Sequence, residues 1–237
     1  MNHSTSPVVN SQKSRIITKV LTAAIKLWLK TQLSQVAQLE VEIKASDRQL
    51  LSGCIPGVSI SASNAVYQGL HITQLQLWAE NIQVNIGAVL RGKPLRLLDT
   101  VPVIGQLMVT EDDLNHSLSS ALLSSAFNEL LVKLLPEHCP NSKSLTWQQI
   151  TIDNDRLLLS GLTTDENLPS SLELDLGLKL LNGQELQLIQ VKIHENQQVL
   201  LANNSGYTLN LGSDVNIQEI TLIPGQLVGQ GQFNVNP

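Results

Sequence analysis

The chain is poor in charged and in aromatic side chains, and both shortages narrow the classes of function open to it. Charged residues make up 15% of the 237 positions, and seven positions are Phe, Trp or Tyr. An average soluble domain is about 25% charged. Few aromatic rings and no dense arginine run offer little for stacking on bases, so nucleic acid is a poor partner. The thin polar cover instead indicates a very large core, or apolar surface that faces a lipid or a partner.

Motifs for catalysis and for metal binding are also scarce. The five histidines show no metal-ligand spacing, and no GxSxG elbow or GxGxxG loop occurs. The segment from Gly87 to Lys93 matches the first seven positions of a P-loop, but Pro94 stands where a Ser or Thr hydroxyl should reach Mg²⁺. The sequence therefore predicts no catalytic residue, no metal and no cofactor. A nucleotide hydrolase that uses this segment is the rival enzyme hypothesis.

Long hydrophobic runs and paired cysteines are missing too. No segment reaches the roughly 18–20 uninterrupted apolar residues of a transmembrane helix, and Lys19 and Lys26 interrupt the one candidate signal region. Cys54 and Cys139 have no CxxC partner. They are predicted to be free thiols in a reducing compartment, although one long-range disulfide stays open. We therefore expect a cytoplasmic protein that is peripheral to a membrane.

The charges that are present divide unevenly along the chain. Residues 1–100 hold ten Lys or Arg and five Asp or Glu, a net +5, whereas residues 101–237 hold five and fifteen, a net -10. A cationic front half and an acidic back half indicate an oriented encounter with an anionic surface, such as a membrane. Scattered surface charge is the alternative interpretation.

Residues 14 to about 36 are predicted to form a basic amphipathic helix. At 100° per residue, Lys19, Lys26 and Lys30 share one arc, and an apolar arc lies opposite. The apolar arc contains Ile17, Val20, Leu21, Ala24, Leu27 and Trp28. Two roles compete and are compatible: the apolar arc packs on a sheet while the lysines are solvated, or the lysines meet anionic lipid headgroups.

A slip in apolar alternation recurs in three predicted strands. Leu70 and Ile72 alternate as in a half-buried strand, and the alternation resumes on the other parity at Leu75 and Leu77. A strand that keeps one face buried through such a slip needs a β-bulge, which bends the strand. The same spacing returns in the sets Leu186, Leu188, Val191, Ile193 and Val215, Ile217, Ile220, Leu222. Three such strands predict a curved antiparallel sheet with an apolar concave face.

The order of predicted elements indicates an internal repeat. Thr110 and the acids after it resemble a helix N-terminus, and Pro136 ends that helix. The pattern Asp-Arg-x-Leu-Leu-Ser-Gly at 47–53 returns at 155–161, in each case after a helix. We therefore predict a disordered leader over residues 1–13 and one domain over 14–237, with pseudo-repeats of about 14–109 and 110–237. The predicted fold class is α+β, with long amphipathic helices packed on a strongly curved, bulged antiparallel β-sheet and a helix-then-strands unit used twice.

Four features together resemble the LmeA-like phospholipid-binding family over about residues 14–236. They are the basic helix, the motif at 47–53, the run 58–63 with 67–70, and the run Leu-Arg-Gly-Lys-Pro-Leu-Arg-Leu at 90–97. The resemblance implies a non-enzymatic protein similar to the tubular lipid-binding proteins, in which a long helix lies against a strongly curved sheet and acyl chains occupy an apolar groove. Actinobacterial relatives carry export signals and work in the cell envelope, so that compartment is open as well.

The resulting hypothesis is that the chain binds a phospholipid or similar amphiphile between helix and sheet, at an anionic membrane surface. Arg91, Lys93 and Arg96 are the candidate headgroup contacts, whereas Lys19 and its two companions on the helix are the candidate membrane contacts. The candidate groove residues are Leu21, Ala24, Trp28, Leu70, Ile72, Leu75, Leu77, Leu172, Leu174 and Leu176. The alternative from another class is a scaffold that binds a protein helix in the same concavity.

Overall fold

The protein is mostly β-structure. The structure, a computed structural model, describes residues 11–45, 47–136, 144–165, 168–203 and 206–237. Strands account for 60% of the chain and helices for 22%, and the strands form two antiparallel sheets. The α+β prediction with long amphipathic helices is therefore wrong, and the sheets are not strongly curled. The physical reason is that period-two alternation, which favours strands, covers far more of the sequence than helical periodicity does.

Five helices lie within the described residues: α1 (Ser11–Gln32), α2 (Asp47–Leu51), α3 (Ile86–Val89), α4 (Glu111–Ser117) and α5 (Ala121–Leu134). The single helix predicted from Thr110 to Pro136 is interrupted at residues 118–120. Thr110 accepts a hydrogen bond from the Asp113 amide, as predicted for an N-cap, and Ser120 accepts a second one from the Leu123 amide. Because serine satisfies free amides at a helix start, Ser120 begins a new helix there.

In the described part of the chain, twelve strands build the two sheets. They are β1 (Gln35–Lys44), β2 (Cys54–Tyr67), β3 (Leu70–Gln83), β4 (Val101–Thr110), β5 (Ser144–Asp153), β6 (Arg156–Asp165), β7 (Leu168–Asn182), β8 (Glu185–Glu195), β9 (Gln198–Asn203), β10 (Tyr207–Asn210), β11 (Val215–Ile223) and β12 (Gln226–Val235). Sheet 1 has the order β1-β2-β3-β4-β12-β11, and sheet 2 has the order β10-β8-β7-β6-β5, with β9 also paired to β8. The last hairpin of the chain thus returns to complete the first sheet.

Two of the three parity slips are β-bulges. The β7–β8 register shifts between Asp175 and Gly177, and Gln190 on β8 has a φ of 49°. The β11–β12 register shifts between Ile217 and Glu219. The bulge predicted in β3 is wrong, because the β2–β3 register is the same on both sides of Asn64, which instead takes a φ of 46°. There the slip is absorbed by a local distortion of paired strands rather than by an extra residue.

The repeated motif takes two different conformations. Its first copy forms α2, whereas its second copy lies in the turn before β6 and in that strand. The division into two pseudo-repeats remains a prediction. Of the predicted leader, residues 11–13 belong to α1 and residues 1–10 lie outside the described residues.

Two hydrophobic clusters hold the chain together. The loop-end cluster lies where β1 and β3 end, and it joins α1, α2 and α3 to sheet 1 through buried residues such as Leu21, Leu50 and Val103. The sheet-2 cluster joins sheet 2 to α4 and α5, and it extends to Leu222 of β11. Backbone hydrogen bonds from Ile217 to Gly183 and from Gly225 to Ile152 link the two sheets.

Candidate functional site

One face of sheet 1 is apolar in register across all six strands. Leu39 pairs with Ala62, which pairs with Leu75, and that row continues through Leu107 and Gly229 to Ile220. Neighbouring strands lie about 4.8 Å apart, so a row that crosses five intervals is about 24 Å long. The alternation recognised in the sequence thus produces a continuous apolar surface that is about as long as an acyl chain.

The two ends of this face are covered. At the loop end, α1 places Leu21 and Ile25 against sheet 1. At the junction end, where β2 and β3 meet in a hairpin, α4 packs on β3 and the sheet-2 cluster includes Leu227. The C-terminal end of α1 lies at the junction end, because the Ser34 amide that follows the helix donates to the Val66 carbonyl oxygen. The same helix packs against α2 at the loop end. It therefore runs the length of β1.

Between the covered ends lies a half-exposed region that we call the apolar strip. It is defined by Leu39, Leu75, Leu107, Ile217 and Ile220, all of which are partly accessible. Within the described part of the chain, none of the five belongs to either hydrophobic cluster. A row of partly accessible aliphatic side chains between two closed cores is the kind of surface that an apolar ligand can cover.

Glycine leaves additional space in the strip. Gly229 faces the strip because it pairs with Leu107 on one side and with Ile220 on the other. A Cβ placed on Gly229 would meet nothing closer than the Glu219 carbonyl oxygen, at 3.9 Å. The neighbouring Gly231 is different, since its Cβ would lie 2.9 Å from the Ile217 Cα. A larger side chain at Gly229 would therefore meet no steric clash at its Cβ.

The structure separates the groove residues predicted from the sequence into different environments. Leu75 lies in the strip, and Leu77 borders it at the edge of the loop-end cluster. Leu21 and Ala24 pack in that cluster, and Trp28 is half-buried on α1. Leu70 and Ile72 are half-buried at the junction end. Leu172, Leu174 and Leu176 are 3%, 1% and 1% exposed in the sheet-2 cluster.

Sequence reasoning missed four of the residues that define the strip. Leu39, Leu107, Ile217 and Ile220 lie on strands that the alternation already indicated. The alternation does not reveal the strand order, in which β12 lies between β4 and β11. The apolar alternation therefore indicated that these residues lie in strands, but it did not indicate which strands pair and bring them together.

On the opposite face of sheet 1, Ile104 of β4 and Val228 of β12 are apolar and exposed, whereas the middle of β1, β2 and β3 is polar. A hollow of about 220 Å³ lies there, where Ser61 and Ser63 on β2 are flanked by longer side chains of β1 and β3. Those longer side chains are Gln38, Glu40, Gln74 and Gln76, and Ala62 and Leu75 complete the lining. Amides, hydroxyls and one carboxylate make this hollow unsuitable for an acyl chain, because each polar group would be buried without a partner.

The three cations predicted to meet a headgroup occupy an ordered loop at the loop end. Arg91, Lys93 and Arg96 are all exposed. The Asn85 side chain donates to the Pro94 carbonyl oxygen at 3.0 Å and accepts from the Arg96 amide at 2.8 Å. The Arg96 carbonyl oxygen in turn accepts from the Asn85 amide at 3.2 Å. The loop is thus fixed by Asn85 while its charges point into solvent.

The lysines of α1 differ in accessibility. Lys19 and Lys30 are exposed, whereas Lys26 is half-buried. Two apolar side chains, Val20 and Leu27, are exposed on the same helix. The outer face of α1 is therefore mixed, and Lys30 lies near the C-terminal end of the helix whereas Lys19 lies near its middle.

The arrangement around Gly87 does not support the nucleotide hypothesis. A P-loop lies between a strand and a long helix. Here Gly87 belongs to the four-residue helix α3, and the chain after Lys93 continues as a loop into β4. Across the described residues, no group of three or more His, Cys, Asp or Glu side chains is placed to hold a metal ion. The Cys54 thiol is free, and Cys139 lies outside the described residues.

The protein thus combines a mostly β scaffold with a partly accessible apolar strip on one face of sheet 1. Among the described helices, none is both long enough and apolar enough to span a bilayer. The chain belongs to the LmeA-like phospholipid-binding family, whose sequence model matches residues 13–232. This confirms the resemblance seen in the sequence. No curated protein and no solved structure matches the chain.

Proposed function

We propose that this protein binds a phospholipid whose acyl chains lie on the apolar strip of sheet 1, and that it does so without catalysing a reaction. The observation that carries the proposal is the half-exposed row from Leu39 to Ile220 between two closed hydrophobic clusters. Membership of a phospholipid-binding family supports the choice of ligand class. The two facts are independent, since one comes from packing and the other from sequence.

The energetics favour a ligand with two acyl chains. An acyl chain of about sixteen CH₂ groups that is covered on one side gains about 6 kcal/mol, which is half of its full burial. Association itself costs at least about 4 kcal/mol, so a single chain would bind very weakly. Two chains gain about 12 kcal/mol before that cost, which corresponds to a dissociation constant near 1 μM. A phospholipid therefore fits the strip better than a free fatty acid.

The membrane role of α1 is a second part of the proposal. Lys19 is exposed and is available to anionic headgroups, whereas Lys26 is less accessible and Lys30 lies at the junction end of α1. Each Lys or Arg near an anionic surface contributes about 1 kcal/mol. The acidic second half of the sequence supports an orientation in which sheet 1 and α1, rather than sheet 2, approach the membrane.

The proposal is tested by filling the strip. Gly229→Leu places a side chain on the apolar face, whereas Gly57→Leu adds the same side chain to the opposite face, because Gly57 pairs with Lys44 and Glu80. Purified protein is extracted with organic solvent and analysed by mass spectrometry for bound lipid, and lipid-free protein is then offered phosphatidylglycerol. We expect uptake by the wild type and by Gly57→Leu, and at least ten-fold weaker uptake by Gly229→Leu.

Two results contradict the proposal. Wild-type protein that carries no lipid and takes none up would remove the function. Equal uptake by the two leucine variants would remove the site, because a side chain in the strip would then not compete with the ligand. Circular dichroism and unfolding curves of both variants establish that each retains the native fold.

A further inference from the structure

The loop end of sheet 1 combines exposed apolar and basic side chains at one extremity of the protein. Leu51, Leu90 and Leu98 are 58%, 47% and 56% exposed. In the sequence, Leu90 and Leu98 flank Arg91, Lys93 and Arg96, and residues 86–98 contain no acid, although Asp99 follows directly. An exposed leucine alone needs no explanation, but three leucines together with three cations form a patch of unusual composition for a chain that is 15% charged.

These residues lie at one end of the fold because of specific backbone pairings. The Val84 amide donates to the Gly53 carbonyl oxygen, which places the end of α2 beside α3. Val84 also forms a bridge with Leu97, and the Leu98 amide donates to the Gln83 carbonyl oxygen. Segments 50–53 and 83–98 are therefore adjacent, and we call their exposed surface the basic tip.

The basic tip is ordered in advance. Leu95 and Leu97 pack against the loop-end cluster, while Arg96 and Leu98 between and after them are exposed. Asn85 fixes the backbone on both sides of Leu95, and the Lys93 amide donates to the Ala88 carbonyl oxygen at 3.0 Å. Because little chain entropy is lost when an ordered loop binds, such a loop retains more of its contact energy than a flexible one.

We propose that the basic tip is the surface by which this protein docks on an anionic bilayer, with the leucines inserted at the headgroup boundary and the cations against the phosphates. This inference rests on the proposed lipid-binding function and adds an orientation to it. A bilayer offers both an apolar layer and a negative surface, and both are needed to match this patch. The charge complementarity identifies the partner as a membrane rather than a neutral apolar surface.

The orientation has a consequence for α1. Its C-terminal end lies at the junction end and its packing against α2 lies at the loop end, so Lys19 is closer to the basic tip than Lys30 is. An upright protein docked by its tip therefore brings Lys19 toward the bilayer and keeps Lys30 away from it. The strip then crosses the strands on the far side of the loop-end cluster from the docked end.

The test measures vesicle binding by flotation with vesicles of equal parts phosphatidylcholine and phosphatidylglycerol, and with phosphatidylcholine alone. The tip variants are the double substitution Leu90→Ser with Leu98→Ser, and the single substitution Arg91→Ala. The matched controls are Leu122→Ser and Val132→Ser on α5, which have similar exposure, and Lys30→Ala. Uptake of phosphatidylglycerol from detergent is measured in parallel, so that the strip and the tip are tested separately.

We expect the double leucine variant to bind anionic vesicles about thirty-fold more weakly than the wild type, since two half-exposed leucines no longer leave water. Arg91→Ala is expected to weaken binding about five-fold, and added salt should reduce that difference. The controls should bind as the wild type does, and all variants should still take up lipid from detergent. The proposal would be overturned if the wild type did not bind vesicles, or if it bound neutral and anionic vesicles equally. It would also be overturned if the α5 substitutions weakened binding as much as the tip substitutions do.

Discussion

Alanine substitutions at Leu21 and at Leu75 test whether the apolar strip is less tightly packed than the closed core. Leu21 is 0% exposed in the loop-end cluster, whereas Leu75 is half-buried in the strip. A Leu→Ala change in a closed core costs 2–5 kcal/mol, and about 3 kcal/mol is expected for Leu21→Ala. At Leu75 part of the side chain already contacts water, so Leu75→Ala should cost about 1 kcal/mol in lipid-free protein.

The assay is urea unfolding followed by circular dichroism. With a slope of about 3 kcal/mol per molar urea for a chain of this size, Leu21→Ala should lower the midpoint by about 1 M and Leu75→Ala by about 0.3 M. Saturation with phospholipid should widen the gap between wild type and Leu75→Ala, because the ligand loses a contact in that variant. Equal shifts of the two midpoints without lipid would refute the reasoning, since the strip would then be as tightly packed as the core.

Three further predictions concern residues that hold the scaffold and the tip. Ser117→Ala should lower the free energy of unfolding by about 2 kcal/mol, because the buried Ser117 hydroxyl accepts from the His71 amide at 2.8 Å; thermal unfolding measures this, and an unchanged midpoint would contradict it. Arg156→Ala should lower the free energy of unfolding by about 1 kcal/mol, because Arg156 pairs with Asp175 and donates to Gln190 in the bulge at 2.7 Å. Urea unfolding measures this, and an unchanged midpoint would show that the interaction does not stabilise the fold. Asn85→Ala should speed hydrogen exchange of the Arg96 amide while exchange in sheet 2 stays the same, and protection that is equal to wild type would show that the loop is fixed by other contacts.

Local features of the fold were predictable because they depend on neighbouring residues. The caps at Thr110 and the bulges near Gln190 and Gln218 follow from side-chain chemistry or from the need to keep one face buried. Ser120 shows the limit of this approach. Its hydroxyl divides what the apolar spacing indicates as one helix, and serine occurs too often in this chain to mark a boundary by itself.

The sequence predicted an apolar sheet face as the candidate site, but it did not predict which residues form that site. The leucine-rich alternation indicated an apolar sheet face, and Leu75 does lie in the strip. The assignment of Leu172, Leu174 and Leu176 to the same groove assumed one sheet, whereas the strands form two. Which strands become neighbours is decided by pairing between distant segments, and period-two patterning carries no information about that choice.

The position of β12 has a consequence for the synthesis of this protein. Residues 226–235 complete sheet 1 by pairing with residues 101–110, after all of sheet 2 has intervened. During translation the outer backbone of β4 therefore stays unsatisfied until the final hairpin leaves the ribosome. Unpaired strand edges attract other chains, and such long-range closure is slow. A nascent polypeptide that is interrupted before this hairpin should aggregate through β4, and chaperones that shield strand edges should have their main effect at this stage.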